Sequence, residues 1–209
     1  MTNLKIQENI NEFSGVLETF STKALKFVIK NSIDDTLKHL QEQSKRLAQQ
    51  QLDRPTKSTL NSFAIKRARL NVPEGVLFVR PWAKKYMGRM IDGGTVRKGA
   101  DKPLAVPVST RLNKHGNIPG LKSGAIERIL AKPDTYMGPG KAGKAVIWKR
   151  DKSSLKSEPV VVFETSRDVK KRLYWREMLD KRAAKTFETQ LTLNIRKELQ
   201  FIQRKAKAT

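Results

Sequence analysis

The chain has 209 residues, with 43 Lys and Arg against 20 Asp and Glu, a formal net charge of +23. That length suffices for one large domain or two small ones with a buried core. Hydrophobic residues at 38%, recurring periodically and accompanied by three tryptophans, exclude a fully disordered chain.

No run of about 18 apolar residues is present that could cross a bilayer. The opening MTNLKIQENINEF has neither the basic start nor the compact apolar stretch of a secretory signal. The absence of cysteine removes disulfides, thiolate metal sites and cysteine nucleophiles, and it agrees with an intracellular origin. The charge is uneven: net +1 over residues 1–50, +15 over 51–150 and +7 over 151–209. Such a field calls for a polyanionic neighbour, nucleic acid first and an acidic protein surface second, against a plain solvated basic surface.

In the N-terminal stretch, Ile6, Ile10, Phe13, Leu17, Phe20, Ala24 and Phe27 alternate steps of four and three, an amphipathic helical repeat. Ile33, Leu37, Leu40 and Leu47 keep the rhythm one position out of phase. Ser32, with Asp34 and Asp35 behind it, has the chemistry of a new helix cap. The reading is a helix pair or one kinked helix. It ends before Arg54-Pro55, because a residue ahead of proline avoids the α region. Such a helix either pairs with another subunit or lies on its own domain's core.

The middle reads as strands. Phe63–Lys66 and Val76–Arg80 flank the turn-rich RLNVPEG and predict a hairpin. A short helix follows from Ala83 to Met90, stopped by Asp92-Gly93-Gly94. Leu104–Val108 is extended, and Pro107 makes it an edge strand. A turn at Asn113–Asn117 and a short helix near Ser123–Lys132 come next. Ala145–Lys149 and Val160–Glu164 predict an antiparallel pair across the polar RDKSSLKSEP. From Ser166, a cap with Asp168 behind it, a long helix carries Leu179, Ala183, Phe187, Leu191, Ile195 and Leu199, with a break expected near Thr186–Thr192. The prediction is an α+β chain: a long N-terminal amphipathic helix or helix pair, a central antiparallel sheet with short helices, and a long C-terminal helix. Its segments are 1–53, a basic β-rich 54–165, and 166–209, the last forming one structural unit with the centre.

The chemistry-bearing motifs are few. Gly138-Pro-Gly-Lys-Ala-Gly-Lys144 fits the G-x-x-x-x-G-K part of a phosphate-binding loop, but Ala145 replaces the hydroxyl that would hold Mg²⁺. The preceding LAKPDTYM does not read as a buried strand, and AVIWK reads as a strand where the motif needs a helix. A flexible basic loop is the better reading. His39 and His115 lack metal-ligand spacing, no G-x-S-x-G elbow occurs, and the central carboxylates show no metal pattern. The expectation is a non-enzyme without cofactor or metal. Aromatic and basic residues interleave at Arg80–Tyr86, Trp148–Arg150 and Lys170–Arg176, a pattern that either stacks bases between phosphate contacts or anchors the fold with its cations pointing outward.

The order of motifs resembles a family. Arg54-Pro55-Thr56 and Thr59-Leu60-Asn61-Ser62 lead into the hairpin. Ala83-Lys84-Lys85-Tyr86-Met87, Ile91-Asp92-Gly93-Gly94-Thr95, Leu104-Ala105-Val106-Pro107-Val108 and Leu112-Asn113-Lys114-His115-Gly116-Asn117-Ile118 then follow. Over about residues 54–150 this resembles tailed-bacteriophage virion proteins of the minor tail protein Z and tail-completion type. Its basicity and the loop at 95–103 depart from that pattern.

The resemblance implies a structural protein of the virion tail or neck, made in the host cytoplasm and assembling as a homo-oligomeric ring at the head–tail junction. Its implied partners are portal, adaptor or tail-tube proteins and double-stranded DNA in the channel, with no membrane. On this reading Lys84, Lys85, Arg89, Arg97, Lys98, Lys141 and Lys144 face the polyanion. Ile10, Phe13, Leu17, Phe20, Phe187, Leu191 and Ile195 form the assembly surface. The alternative is a non-catalytic nucleic-acid-binding protein directed at phosphates.

Overall fold

The structure is a computed structural model, and it describes residues 4–6 (backbone), 22–98, 103–120, 124–151 and 156–207. It is an α+β chain that divides into two compact units, Met1–Asp92 with Lys171–Thr209, and Gly93–Lys170. The division falls at 92/93 and 170/171 rather than at 53/54 and 165/166. The hairpin and the helix after it share a core with the long helices, so 54–92 belongs with them.

The first unit is built on two long helices, α1 (Thr22–Gln51) and α5 (Trp175–Lys207). They run antiparallel, since Asn194 meets Ser32 while Trp175 meets Ser44. On α1 the buried Ser32, Thr36, Leu40, Ser44 and Ala48 recur every four residues, and most are small enough for α5 to approach closely. The three hydroxyls donate to the carbonyls of Val28, Ser32 and Leu40, so burial leaves them satisfied. This is why α1 runs unbroken through Ser32, which is not a cap. Asp34, with no helix start to serve, instead accepts the Ala68 N–H at 2.9 Å.

A three-stranded antiparallel sheet in the order β1–β3–β2 completes this unit. Strands β2 (Phe63–Lys66) and β3 (Gly75–Val79) form the expected hairpin, in register from Phe63↔Val79 to Lys66↔Val76. Strand β1 (Leu4–Ile6) pairs with β3 instead of opening a helix, which corrects the heptad's first member, Ile6. Between α1 and β2, Thr56 caps the one-turn α2 (Lys57–Leu60). Helix α3 (Pro81–Asp92) begins at proline, whose fixed φ suits the first helical position, and stops where Gly93 takes φ 75°. The N–H groups of Arg172 and Leu173 both donate to the Met90 carbonyl at 2.8 Å, tying the approach of α5 to the end of α3.

Helix α5 starts nine residues later than the cap expected at Ser166. Its fully buried Trp175 stacks 5.4 Å from Phe63. The threonines do not break it, because Thr189 and Thr192 return their hydroxyls to the carbonyls of Lys185 and Glu188.

The second unit holds a four-stranded antiparallel sheet, β5–β8–β7–β6, and a two-stranded ribbon, β4–β9. The strands are β4 (Gly94–Arg97), β5 (Leu104–Pro107), β6 (Thr135–Pro139), β7 (Ala145–Arg150), β8 (Ser157–Glu164) and β9 (Ser166–Val169). Ser166 and Asp168, expected in a helix, lie in β9 opposite Arg97 and Thr95. Pro107 does sit on an edge strand. Helix α4 (Ala125–Leu130) packs on the larger sheet, burying Ala125 and Ile129 with Ile118, Ile147, Val160 and Val161.

Candidate polyanion-binding surfaces

Helix α3 gathers the densest set of expected site residues. Ala83, Met87 and Ile91 recur every four residues and are fully buried. That anchorage turns Lys84 and Lys85 to solvent, with Arg89 half-buried between the two environments. Trp82 is 53% exposed, and its ring lies 6.4 Å from that of Tyr86, one turn on. An exposed indole beside cations offers a flat apolar face next to phosphate-seeking groups. The helix's one carboxylate, Asp92, is already engaged: the Arg176 guanidinium grips it at 3.0 and 3.1 Å. That hydrogen bond in turn holds the Arg176 pKa above its ordinary value.

The remaining expected cations belong to the second unit. Arg97 and Lys98 are exposed at the end of β4, where the Lys98 N–H donates to the Thr165 carbonyl. Lys141 is exposed in a 3₁₀ turn, Lys141–Gly143, between β6 and β7. Lys144 is also exposed, and its ammonium pairs with Glu164 at 2.8 Å.

The G-x-x-x-x-G-K segment is the tip of a β-hairpin. Pro139 lies opposite Ala145, and the Gly140 N–H donates to the Lys144 carbonyl at 2.7 Å. No helix N-terminus follows to receive phosphates. A side chain at Gly140 would place its Cβ 2.4 Å from Val146 Cγ2, so glycine serves a tight turn here.

Of the three interleaved stretches, each behaves differently. Trp82 is open, whereas Trp175 is buried and donates its Nε1–H to Ser44 Oγ at 2.7 Å. Its neighbour Tyr174 is 51% exposed, with the Lys171 ammonium 5.2 Å from its ring. Trp148 is half-buried opposite Tyr136, and both rings lean over Gly138. Arg150 sits 5.5 Å above the Tyr136 ring, a cation–aromatic pair that sequence reading missed because β6 was not recognised.

The assembly residues are corrected in part. Phe187, Leu191 and Ile195 are 2%, 8% and 8% exposed, sunk into the chain's own core against α1. They serve the fold and present nothing to a neighbour. Ile10, Phe13, Leu17 and Phe20 lie outside the described residues.

His39 is exposed on α1 and His115 half-buried in a turn, where Asn113 Oδ1 accepts the N–H groups of His115 and Asn117. Among the described residues no three His, Cys, Asp or Glu side chains converge as metal ligands. No helix among them is long and apolar enough to cross a membrane. No family model, curated protein or solved structure matches this chain.

Proposed function

We propose that this chain is a non-catalytic structural protein of a tailed-phage virion, a tail-completion or neck component that assembles as a ring around the DNA channel. The observation that carries the polyanion-facing half of this reading is the outward face of α3. Lys84, Lys85 and Arg89 line it, and among the described residues none of the three is paired with a carboxylate. The virion assignment rests on the order of motifs over residues 54–150, with portal, adaptor or tail-tube proteins as the partners it implies.

Light scattering of the purified full chain, with and without a DNA duplex and across a salt series, tests both halves. The expected result is a closed oligomer of fixed mass, with duplex retention that weakens as salt rises. A single-subunit mass at every condition, without duplex retention, overturns the reading.

The exposed Trp82 favours a second reading, a phosphate-directed binder of nucleic acid acting as a single subunit. Trp82→Ala then weakens single-stranded DNA binding about tenfold, in line with roughly 1–3 kcal/mol per stacked base, and leaves duplex affinity unchanged. Equal loss on both substrates counts against stacking.

A further inference from the structure

The loop joining β2 to β3 encloses a cleft of about 170 Å³ lined by Lys66, Arg67, Arg69, Val72, Glu74 and Val76. None of its three cations was among the residues singled out from the sequence. They converge because the loop backbone is fixed in several places. Asp34 Oδ1, on α1, accepts the Ala68 N–H. Arg69 and Val72 exchange two backbone hydrogen bonds at 3.0 and 3.1 Å, and the Glu74 N–H donates to the Val72 carbonyl at 2.7 Å. Gly75 then lets β3 lie directly on α1, where any Cβ would fall 2.4 Å from Leu37 Cδ1.

With Ala68 held inward at 5% exposure, its neighbours Arg67 and Arg69 are both turned to solvent. Lys66 joins them from the end of β2, opposite Val76. Among the described residues none of the three cations is paired with a carboxylate, and Glu74 is half-buried at the same cleft. Three cations against the single Glu74 carboxylate leave the loop net positive, and a bound anion offsets that surplus.

We infer that this cleft is a phosphate site, and that it takes a backbone phosphodiester of nucleic acid. The inference rests on the polyanion-facing reading above and adds a second contact point to the first unit besides α3. Two guanidiniums suit it, since each presents a planar fork of N–H donors matched to phosphate oxygens. Val72, 53% exposed, supplies an apolar wall against which a sugar can lie.

The test uses the full chain, a 20-base-pair duplex and fluorescence anisotropy over a potassium chloride series. Arg67→Ala with Arg69→Ala is compared with the unaltered chain, and unchanged circular dichroism establishes that the fold is kept. Each phosphate no longer neutralised lowers the slope of log K against log salt by about 0.9, and the cleft holds one phosphodiester between both guanidiniums, so the double variant should lose about 0.9 in slope. A second arm follows the Arg67 and Arg69 Nε–H resonances on addition of inorganic phosphate at constant ionic strength. Saturable shifts together with the reduced slope support the site.

Saturable shifts with an unchanged slope mean a free-anion site and overturn the backbone assignment. No shifts with an unchanged slope overturn the site altogether while leaving the polyanion reading standing. If the unaltered chain does not bind the duplex, that reading and this inference fall together.

Discussion

Among the side-chain hydrogen bonds across the seam between α1 and α5, the one from Trp175 Nε1–H to Ser44 Oγ joins two fully buried residues. Ser44→Ala removes a single oxygen. Its own hydroxyl proton was bonded to the Leu40 carbonyl, which keeps its helical partner. The indole N–H, however, is left buried without an acceptor, at a cost of about 1–3 kcal/mol. Alanine's better helix propensity returns about 0.5 kcal/mol, so the net loss should be about 0.5–2.5 kcal/mol. In a Trp175→Phe background there is no donor to orphan, and the same substitution should be close to neutral. The propensity gain is common to both backgrounds and cancels, so the double-mutant cycle should report a coupling of about 1–3 kcal/mol between the two positions. Urea titration followed by circular dichroism at 222 nm reads the first unit selectively, because α1 and α5 carry most of the helix. An additive cycle would refute the view that the buried polar pair, rather than apolar area alone, holds the seam in register.

Two glycines should respond in opposite directions. Gly75→Ala drives a Cβ to within 2.9 Å of Ile33 Cγ2 as well as onto Leu37, and overpacking of this kind costs about 1–3 kcal/mol. Gly88→Ala, inside α3 with open space around it, should stabilise by about 0.5–1 kcal/mol. Thermal unfolding of the two variants compares them directly; a Gly75→Ala variant as stable as the unaltered chain would refute the packing argument at Gly75, and a destabilised Gly88→Ala the argument at Gly88. Asp35 should mark the acid limb. Burial pushes its carboxyl up, but hydrogen bonds from Lys38 and Asn194 bring the balance below the ordinary carboxylate value. A depressed pKa contributes stability that is complete above about pH 4 and is lost as pH falls through the folded value. Asp35→Asn should therefore cost about 0.2–1 kcal/mol at neutral pH, and the gap to the unaltered chain should close below pH 4. A gap that holds constant into acid would show that the carboxylate's charge contributes nothing.

Much of the architecture is legible in the residues, and its failures fall where tertiary contacts override local signals. Wherever a local signal also reports burial, it reads correctly: Pro107 on its edge, the hairpin around RLNVPEG, and the glycine stop after α3. Capping chemistry misleads at Ser32 and Ser166, because a hydroxyl's preference for a helix start is weaker than tertiary packing. Ser32 is consumed by the α1–α5 seam, and Ser166 by pairing with Arg97 across the β4–β9 ribbon. That ribbon joins residues about seventy positions apart, which no local pattern encodes. Similarly, the repeat of Phe187, Leu191 and Ile195 signals an apolar face without saying whose surface covers it. The cleft cations were illegible for another reason: only the fixed loop brings Lys66, Arg67 and Arg69 around one space.

The division of labour among charges argues that the surplus is functional. Most carboxylates visible here have structural tasks: Asp34 holds Ala68 and Lys30, Asp92 holds Arg176, Glu164 holds Lys144, and Glu177 holds Lys171. Among the described residues the cations of α3 and of the β2–β3 loop form no ion pair with a carboxylate, and their surplus charge opposes the compact state. A polyanion that engages this folded arrangement must raise the unfolding temperature, because a ligand that prefers the native state stabilises it by mass action. The unfolded chain has the same +23 charge and also attracts polyanions, so the sign of the shift is informative. Differential scanning calorimetry with a DNA duplex at low salt should show a rise that disappears at high salt. A fall, or no shift despite binding, would mean that the charge acts as composition alone and that the placement of Lys84, Lys85, Arg67 and Arg69 has no bearing on recognition.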